Sequence, residues 1–221
     1  MKRIVIVGFL MALTPALLCA GALTNNLLTN PGAETGDLSG WTAGGPGMPM
    51  VDNGSFDPGI NPHTGNYDFV GFSGASDSLS QTFNIVVQGV TTGLIDSGLL
   101  TAEVSFWEQG LNQGPQSDDA YVQLNFLNGS MGLLGTVDTP EIDSHNGQWE
   151  NYTNGYSIPS GTRYITYSME FKRYVGTDLD AFVDDNSLVI DGPSGTTPEP
   201  GTFVLLGSAL SLVGVVRRKL I

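Results

Sequence analysis

The stretch RYITYSMEFKRY, residues 163–174, decides the class of fold. Ile165, Tyr167, Met169 and Phe171 alternate strictly with Thr166, Ser168, Glu170 and Lys172. A period of two sends the two sets to opposite faces of an extended strand, whereas a helix would scatter them around its axis. One face is apolar and the other polar, the pattern of an antiparallel sheet that packs one side on a core.

The pattern recurs on both sides of this stretch. Ala102, Val104 and Phe106 share a face within residues 102–107, and Ala120, Val122, Leu124 and Phe126 share one within 120–127. Further strands are expected at 67–72, 79–87, 132–137, 149–156 and 181–190, separated by Gly, Asn, Asp, Ser and Pro. Asn128-Gly129 is a tight-turn dipeptide that joins two of them as a hairpin. No segment sustains helical periodicity, and no internal repeat is present. The expected fold is all-β: an antiparallel β-sandwich of the jelly-roll kind over residues 23–191.

Both ends read as processing segments. Lys2 and Arg3, an apolar run over 4–18 and the small residues Ala20-Gly21-Ala22 make a secretory signal peptide over 1–22, a substrate for signal peptidase. The single cysteine, Cys19, lies inside it, and Leu18 before it disfavours lipidation; the processed chain therefore has no disulfide. After a linker over 192–197, the chain ends in TTPEPGTFVLLGSALSLVGVVRRKLI (196–221). The apolar run 202–216 would span about 22 Å as a helix, short of the roughly 30 Å hydrocarbon core of a bilayer.

The formal net charge is −14, from 22 acidic and 8 basic residues. Lys2, Arg3, Arg217, Arg218 and Lys219 all lie in the two ends, so the body keeps only Arg163, Lys172 and Arg173 as cations. Such a surface repels phosphate backbones and supplies no basic patch, which argues against nucleic acid and favours cations or uncharged ligands.

Two resemblances follow from particular residues. Pro198-Glu199-Pro200, the apolar run after it and Arg217-Arg218-Lys219 together resemble a PEP-CTERM sorting signal. This implies an exosortase partner in a Gram-negative-type bacterium, an inner-membrane intermediate held transiently by a short C-terminal helix, and delivery to the cell surface or extracellular matrix, where such proteins are associated with polysaccharide and biofilm. An ordinary short C-terminal membrane anchor is the alternative. The body resembles galactose-binding-like sandwiches, the fold of many carbohydrate-binding modules, through NLLTNPGAETGDLSGW (26–41), SLSQTF (78–83), SIPSGTRYITYSMEF (157–171) and AFVDDNSLVI (181–190). It departs from them at Asn186, where an aliphatic residue is usual.

The second resemblance implies a structural calcium held by Glu34 in the first loop and by Asp184 and Asp185 in the last strand, with a carbonyl of Gly36 or Asp37. Neighbouring strand residues face opposite ways, so only one of the two aspartates can easily turn to the ion. It also implies sugar binding through exposed aromatic rings. Alternation turns Trp107 and Tyr121 outward, Tyr67 is a third candidate, and Trp41 and Trp149 are assigned to the core.

Catalytic signals are poor. Gly71-Phe72-Ser73-Gly74-Ala75 lacks the final glycine and the following helix of a nucleophile elbow. His63 and His145 are the only histidines, both in Gly/Asn-rich loops, and Asp178, Asp180 and Asp184 lack the glycine and terminal glutamate of an EF-hand. The expectation is a non-enzymatic, glycan-associated or adhesive exported protein. A purely structural surface protein and a hydrolase on the same scaffold are the alternatives.

Overall fold

The computed structural model describes residues 21–114, 116–142 and 147–193. The signal-peptide residues up to 20, His145, most of the linker and the whole sorting signal lie outside the described residues. Residues Gly21–Pro193 form one unit. Its strands are β1 (Thr42–Gly44), β2 (Met50–Asp52), β3 (Asp68–Phe72), β4 (Ser76–Asn84), β5 (Thr101–Gly110), β6 (Asp119–Leu127), β7 (Leu133–Asp138), β8 (Glu150–Ser157), β9 (Tyr164–Lys172) and β10 (Leu179–Asp191). One short helix, α1 (Thr92–Asp96), lies between β4 and β5.

The strands form two five-stranded antiparallel sheets, ordered β1-β4-β9-β6-β7 and β2-β3-β10-β5-β8. This is the sandwich expected from alternation. Strand β9 lies at the centre of the first sheet, and Ile165, Tyr167, Met169 and Phe171 are no more than 1% exposed. They meet Ala102, Val104 and Phe106 of β5 and Leu188 and Ile190 of β10 in a single apolar core. Burying a large apolar side chain contributes about 1.5–3 kcal/mol, so this layer is what drives the sheets together. Trp41 seals one end of it, edge-on to Phe69 at 5.3 Å and to Tyr167 at 6.1 Å. The Asn128 turn joins β6 to β7 as expected, its side-chain carbonyl accepting from the Ser130 and Gly132 amides.

Three elements give no sequence signal. β1 and β2 have three residues each, too few to show alternation. α1 has five, begins at an N-cap where Thr91 Oγ1 accepts from the Leu94 amide at 3.4 Å, and buries Ile95. Among the described residues no helix is long and apolar enough to cross a membrane.

The segment after Gly21 runs along β10 and ties the two ends of the domain without a disulfide. Leu23 N donates to Ile190 O at 2.7 Å and Leu27 N to Leu188 O at 2.9 Å. Asn26 bonds β10 twice, its amide nitrogen donating to Asn186 O and its carbonyl accepting from Leu188 N. Asn186 accounts for its own unusual presence. Its amide nitrogen donates to Pro31 O at 2.8 Å, and its carbonyl accepts from the buried Tyr167 hydroxyl at 2.8 Å. An aliphatic side chain would leave that hydroxyl unpaired.

Candidate functional site

The polar face of β9 belongs to a wide polar surface on the outer side of the first sheet. Register sets Tyr121, Glu170 and Ser78 in one row, Gln123, Ser168 and Ser80 in the next, and Asn125, Thr166 and Thr82 in a third. Edge strand β7 extends the rows with Asp138 opposite Gln123 and Thr136 opposite Asn125. Strands lie about 4.8 Å apart, so these side chains make a continuous grid of amides, hydroxyls and carboxylates.

The grid is held in place by its own hydrogen bonds. Gln123 Nε2 donates to Asp138 Oδ1 at 2.9 Å, Asn125 Nδ2 to Gln123 Oε1 at 2.9 Å, and Thr136 Oγ1 to Asn125 Oδ1 at 2.6 Å. The Thr82 and Thr166 hydroxyls lie 2.8 Å apart, and Ser168 Oγ donates to Glu170 Oε1 at 2.6 Å. Burial, reinforced by the Asp138 charge, pushes the Glu170 carboxyl up from its ordinary range. Burial and then the Glu170 charge push the Tyr121 hydroxyl up as well, so at neutral pH it is an uncharged phenol beside the grid. Lys172, at the end of β9, is engaged by Glu141 at 2.7 Å and lies 4.8 Å from the Tyr174 ring. The arrangement suits an uncharged, hydroxyl-rich ligand: paired amides and hydroxyls bond hydroxyl groups, and a half-buried ring packs against an apolar sugar face.

Of the three aromatic candidates, Tyr121 lies on this surface. Trp107 faces outward on the second sheet, but the His63 ring stacks on it at 3.9 Å and 19°. The loop between β2 and β3 thus covers the face that alternation assigns to solvent. Tyr67 packs against the core with its ring over Gly36. Trp41 is in the core, as expected. Trp149 is half-buried rather than interior: it rests on a small apolar group formed by Ile60, Val70 and Phe182. Gln123 and Asn125 were within reach of sequence reasoning, since they share the parity of Tyr121 on one strand. Thr82, Thr136 and Asp138 were not, because only strand pairing brings them alongside.

The three residues assigned to calcium converge on one segment, 63–67, and act there as acceptors. Both oxygens of Glu34 accept from the Asn66 amide, and Oε1 also accepts from Tyr67 N. Asp184 Oδ2 accepts from Thr64 N at 3.0 Å and Oδ1 from Asp185 N at 2.7 Å. Asp185 Oδ1 accepts from Thr64 Oγ1 at 2.7 Å, and its Oδ2 pairs with His63 Nδ1 at 2.7 Å. Both aspartates turn to the same loop because β10 shifts register between Asp184 and Ser187, with Asp185 at φ 49°. A regular strand would have turned only one. Every carboxylate oxygen of the three is already bonded, and among the described residues no group of three His, Cys, Asp or Glu side chains is placed to hold a metal ion. As arranged, these side chains clasp the 63–67 loop through hydrogen bonds.

Burial also shifts acids within the body. Asp68 is fully buried with neither carboxylate oxygen hydrogen-bonded, and burial, with the nearby Asp52 and Asp184 charges, pushes it up to about 8. Burial raises Asp184 to about 7 and Asp180 to about 6, the latter also facing Asp57 and Asp118. Ser73, the near-miss nucleophile, donates to Gly47 O at 3.1 Å, while His63 is committed to Asp185. The described residues therefore bring no histidine to Ser73.

No family model matches the sequence, and no curated protein matches it. Its likeness is to solved structures. The module TmCBM61, solved in complex with β-1,4-galactotriose, is 23% identical with a TM-score of 0.50, over 75% of this chain and 98% of that one. The CBM22-1 xylan-binding domain of Xyn10C from Paenibacillus barcinonensis is 15% identical with a TM-score of 0.50, over 80% of this chain and 98% of that one. The chain also matches the enzymatically active domain of bacteriophage CBA120 tailspike protein 4, at 13% identity and a TM-score of 0.49; it covers only 21% of that protein. At these identities the first two likenesses show the fold, a β-sandwich shared with carbohydrate-binding modules.

Proposed function

We propose that this protein is a non-catalytic carbohydrate-binding protein whose polar outer face on the first sheet takes a neutral glycan chain. The observation that carries the reading is the ordered grid of Gln123, Asn125, Thr166, Ser168 and Glu170 beside the outward ring of Tyr121. The acidic body supports neutral over anionic glycans, because sulfated or uronic chains would meet net negative charge. The fold shared with a module solved in complex with β-1,4-galactotriose and with a xylan-binding domain adds support. The test is retention of the full chain on insoluble or immobilised neutral polysaccharides, with galactan and xylan first. Tyr121→Ala and the Gln123→Ala/Asn125→Ala pair are expected to lower retention about tenfold or more with little change in Tm. Equal retention by the variants, or none by the parent, overturns the reading.

The delivery route belongs to the same proposal and rests on the tail alone. Pro198-Glu199-Pro200, the short apolar run and Arg217-Arg218-Lys219 direct an exported chain through an exosortase to the cell surface or matrix. Replacement of the triplet by alanines is expected to hold the protein in the inner-membrane fraction; unchanged surface delivery rejects the route.

A further inference from the structure

A cleft lies on the other sheet, away from the polar grid. Its wall is Trp149, whose ring is fixed on several sides. The indole Nε1 donates to Asn61 O at 3.0 Å, and the ring stands edge-on to His63 at 5.7 Å, which is itself stacked on Trp107. One part of the ring is left facing a cavity of about 260 Å³ that it shares with Asn61, Pro62, Gln109 and Gln148. Gln109, only 4% exposed, lines the same cavity, its Nε2 donating to Gly147 O at 2.8 Å. Across Gln109 and Gly147 an adjoining cavity of about 220 Å³ adds Asn112. At Gly59, which borders both, a Cβ would meet nothing within 4 Å, so the space over the loop is open.

The chemistry of this lining is narrow. A fixed aromatic ring stands beside carboxamides, and among the described residues neither lysine nor arginine lines either cavity. An indole face packs on the apolar side of a pyranose while amides bond its hydroxyls. The volumes lie at or below the small end of small-molecule sites, roughly 300–1,000 Å³, which suits one or two sugar units and not the length of a chain. We propose that this cleft is a second carbohydrate subsite, taking a neutral terminal mono- or disaccharide unit, while the open grid takes internal chain. The inference rests on the carbohydrate reading above and divides it into two sites of different shape.

Tryptophan emission separates the two sites, because Trp149 lines the cleft and the grid's ring is a tyrosine. Titration of the full chain with β-1,4-galactotriose and with xylobiose, followed by tryptophan fluorescence, is expected to give a saturable change with at least one sugar. That change should survive Tyr121→Ala and be lost or weakened about tenfold in Trp149→Ala. Asn112→Trp, at an exposed position that narrows the adjoining cavity, should weaken it without depending on how Trp149→Ala folds. Polysaccharide retention should show the reverse dependence, lost in Tyr121→Ala and kept in Asn112→Trp. Emission that stays constant while Tyr121-dependent retention persists overturns the cleft alone. An emission change abolished by Tyr121→Ala and untouched by both cleft variants also overturns it. Loss of both signals in the parent overturns the carbohydrate reading with it.

Discussion

Asn186 shows how one polar residue fits inside an apolar layer. It is 2% exposed on the last strand, yet both ends of its amide are used, one by the Pro31 carbonyl and one by the Tyr167 hydroxyl. Pro31 O keeps the Asn186 backbone amide as a second donor, so the side chain matters most to Tyr167. Asn186→Leu is expected to cost about 1–3 kcal/mol in chemical denaturation, the penalty of one buried hydroxyl without a partner. Adding Tyr167→Phe should restore most of that loss. If the double variant is no more stable than Asn186→Leu, the hydrogen bond is not the cause. The sequence marks Asn186 as a departure from the pattern it resembles, but the partner that explains it stands on β9, nineteen positions away in sequence.

Among the elements, the long strands could be read from the chain, whereas the segment that covers one sheet could not. β9, β6 and β5 alternate over nine or ten residues, long enough for burial parity to show. The connection from β2 to β3 has no periodicity, yet it supplies His63 over Trp107 and the backbone donors that saturate Glu34 and Asp184. Alternation alone therefore turns Trp107 to solvent, and the segment that covers it leaves no trace in that pattern. The observed clasp is made of hydrogen bonds, so EDTA is expected to leave the Tm of the full chain unchanged, and added calcium should not raise it. A calcium-dependent rise reversed by chelator would mean that Glu34, Asp184 and Asp185 leave segment 63–67 to surround an ion. Thr64→Ala, which removes the hydroxyl donor to Asp185, should lower Tm in either buffer if the clasp is as described.

At the scale of the whole molecule, acidity outside and acidity inside have different consequences. The outer acids keep the body negative; the inner ones make stability depend on pH. Asp68 rises to about 8 and Asp180 to about 6, both chiefly through burial. A carboxyl whose folded pKa lies above its unfolded value of about 3.9 binds its proton more tightly when folded. Its contribution is therefore complete below that unfolded value and is lost as pH rises through about 6 to 8. Tm should be highest in mild acid and fall toward pH 8, and Asp68→Asn, which imitates the protonated acid, should flatten the fall. A Tm that climbs steadily to pH 8 in the parent contradicts this. Taken alone, the sequence determined the all-β class, the parity of the long strands and the charge, because each follows from neighbours two residues apart or from composition. Only the tertiary structure decided which strands pair, where β10 bulges, which loop covers Trp107 and which polar rows meet beside Tyr121. Those are contacts between residues far apart in the chain, fixed when two sheets bury their shared core, and no local period carries them.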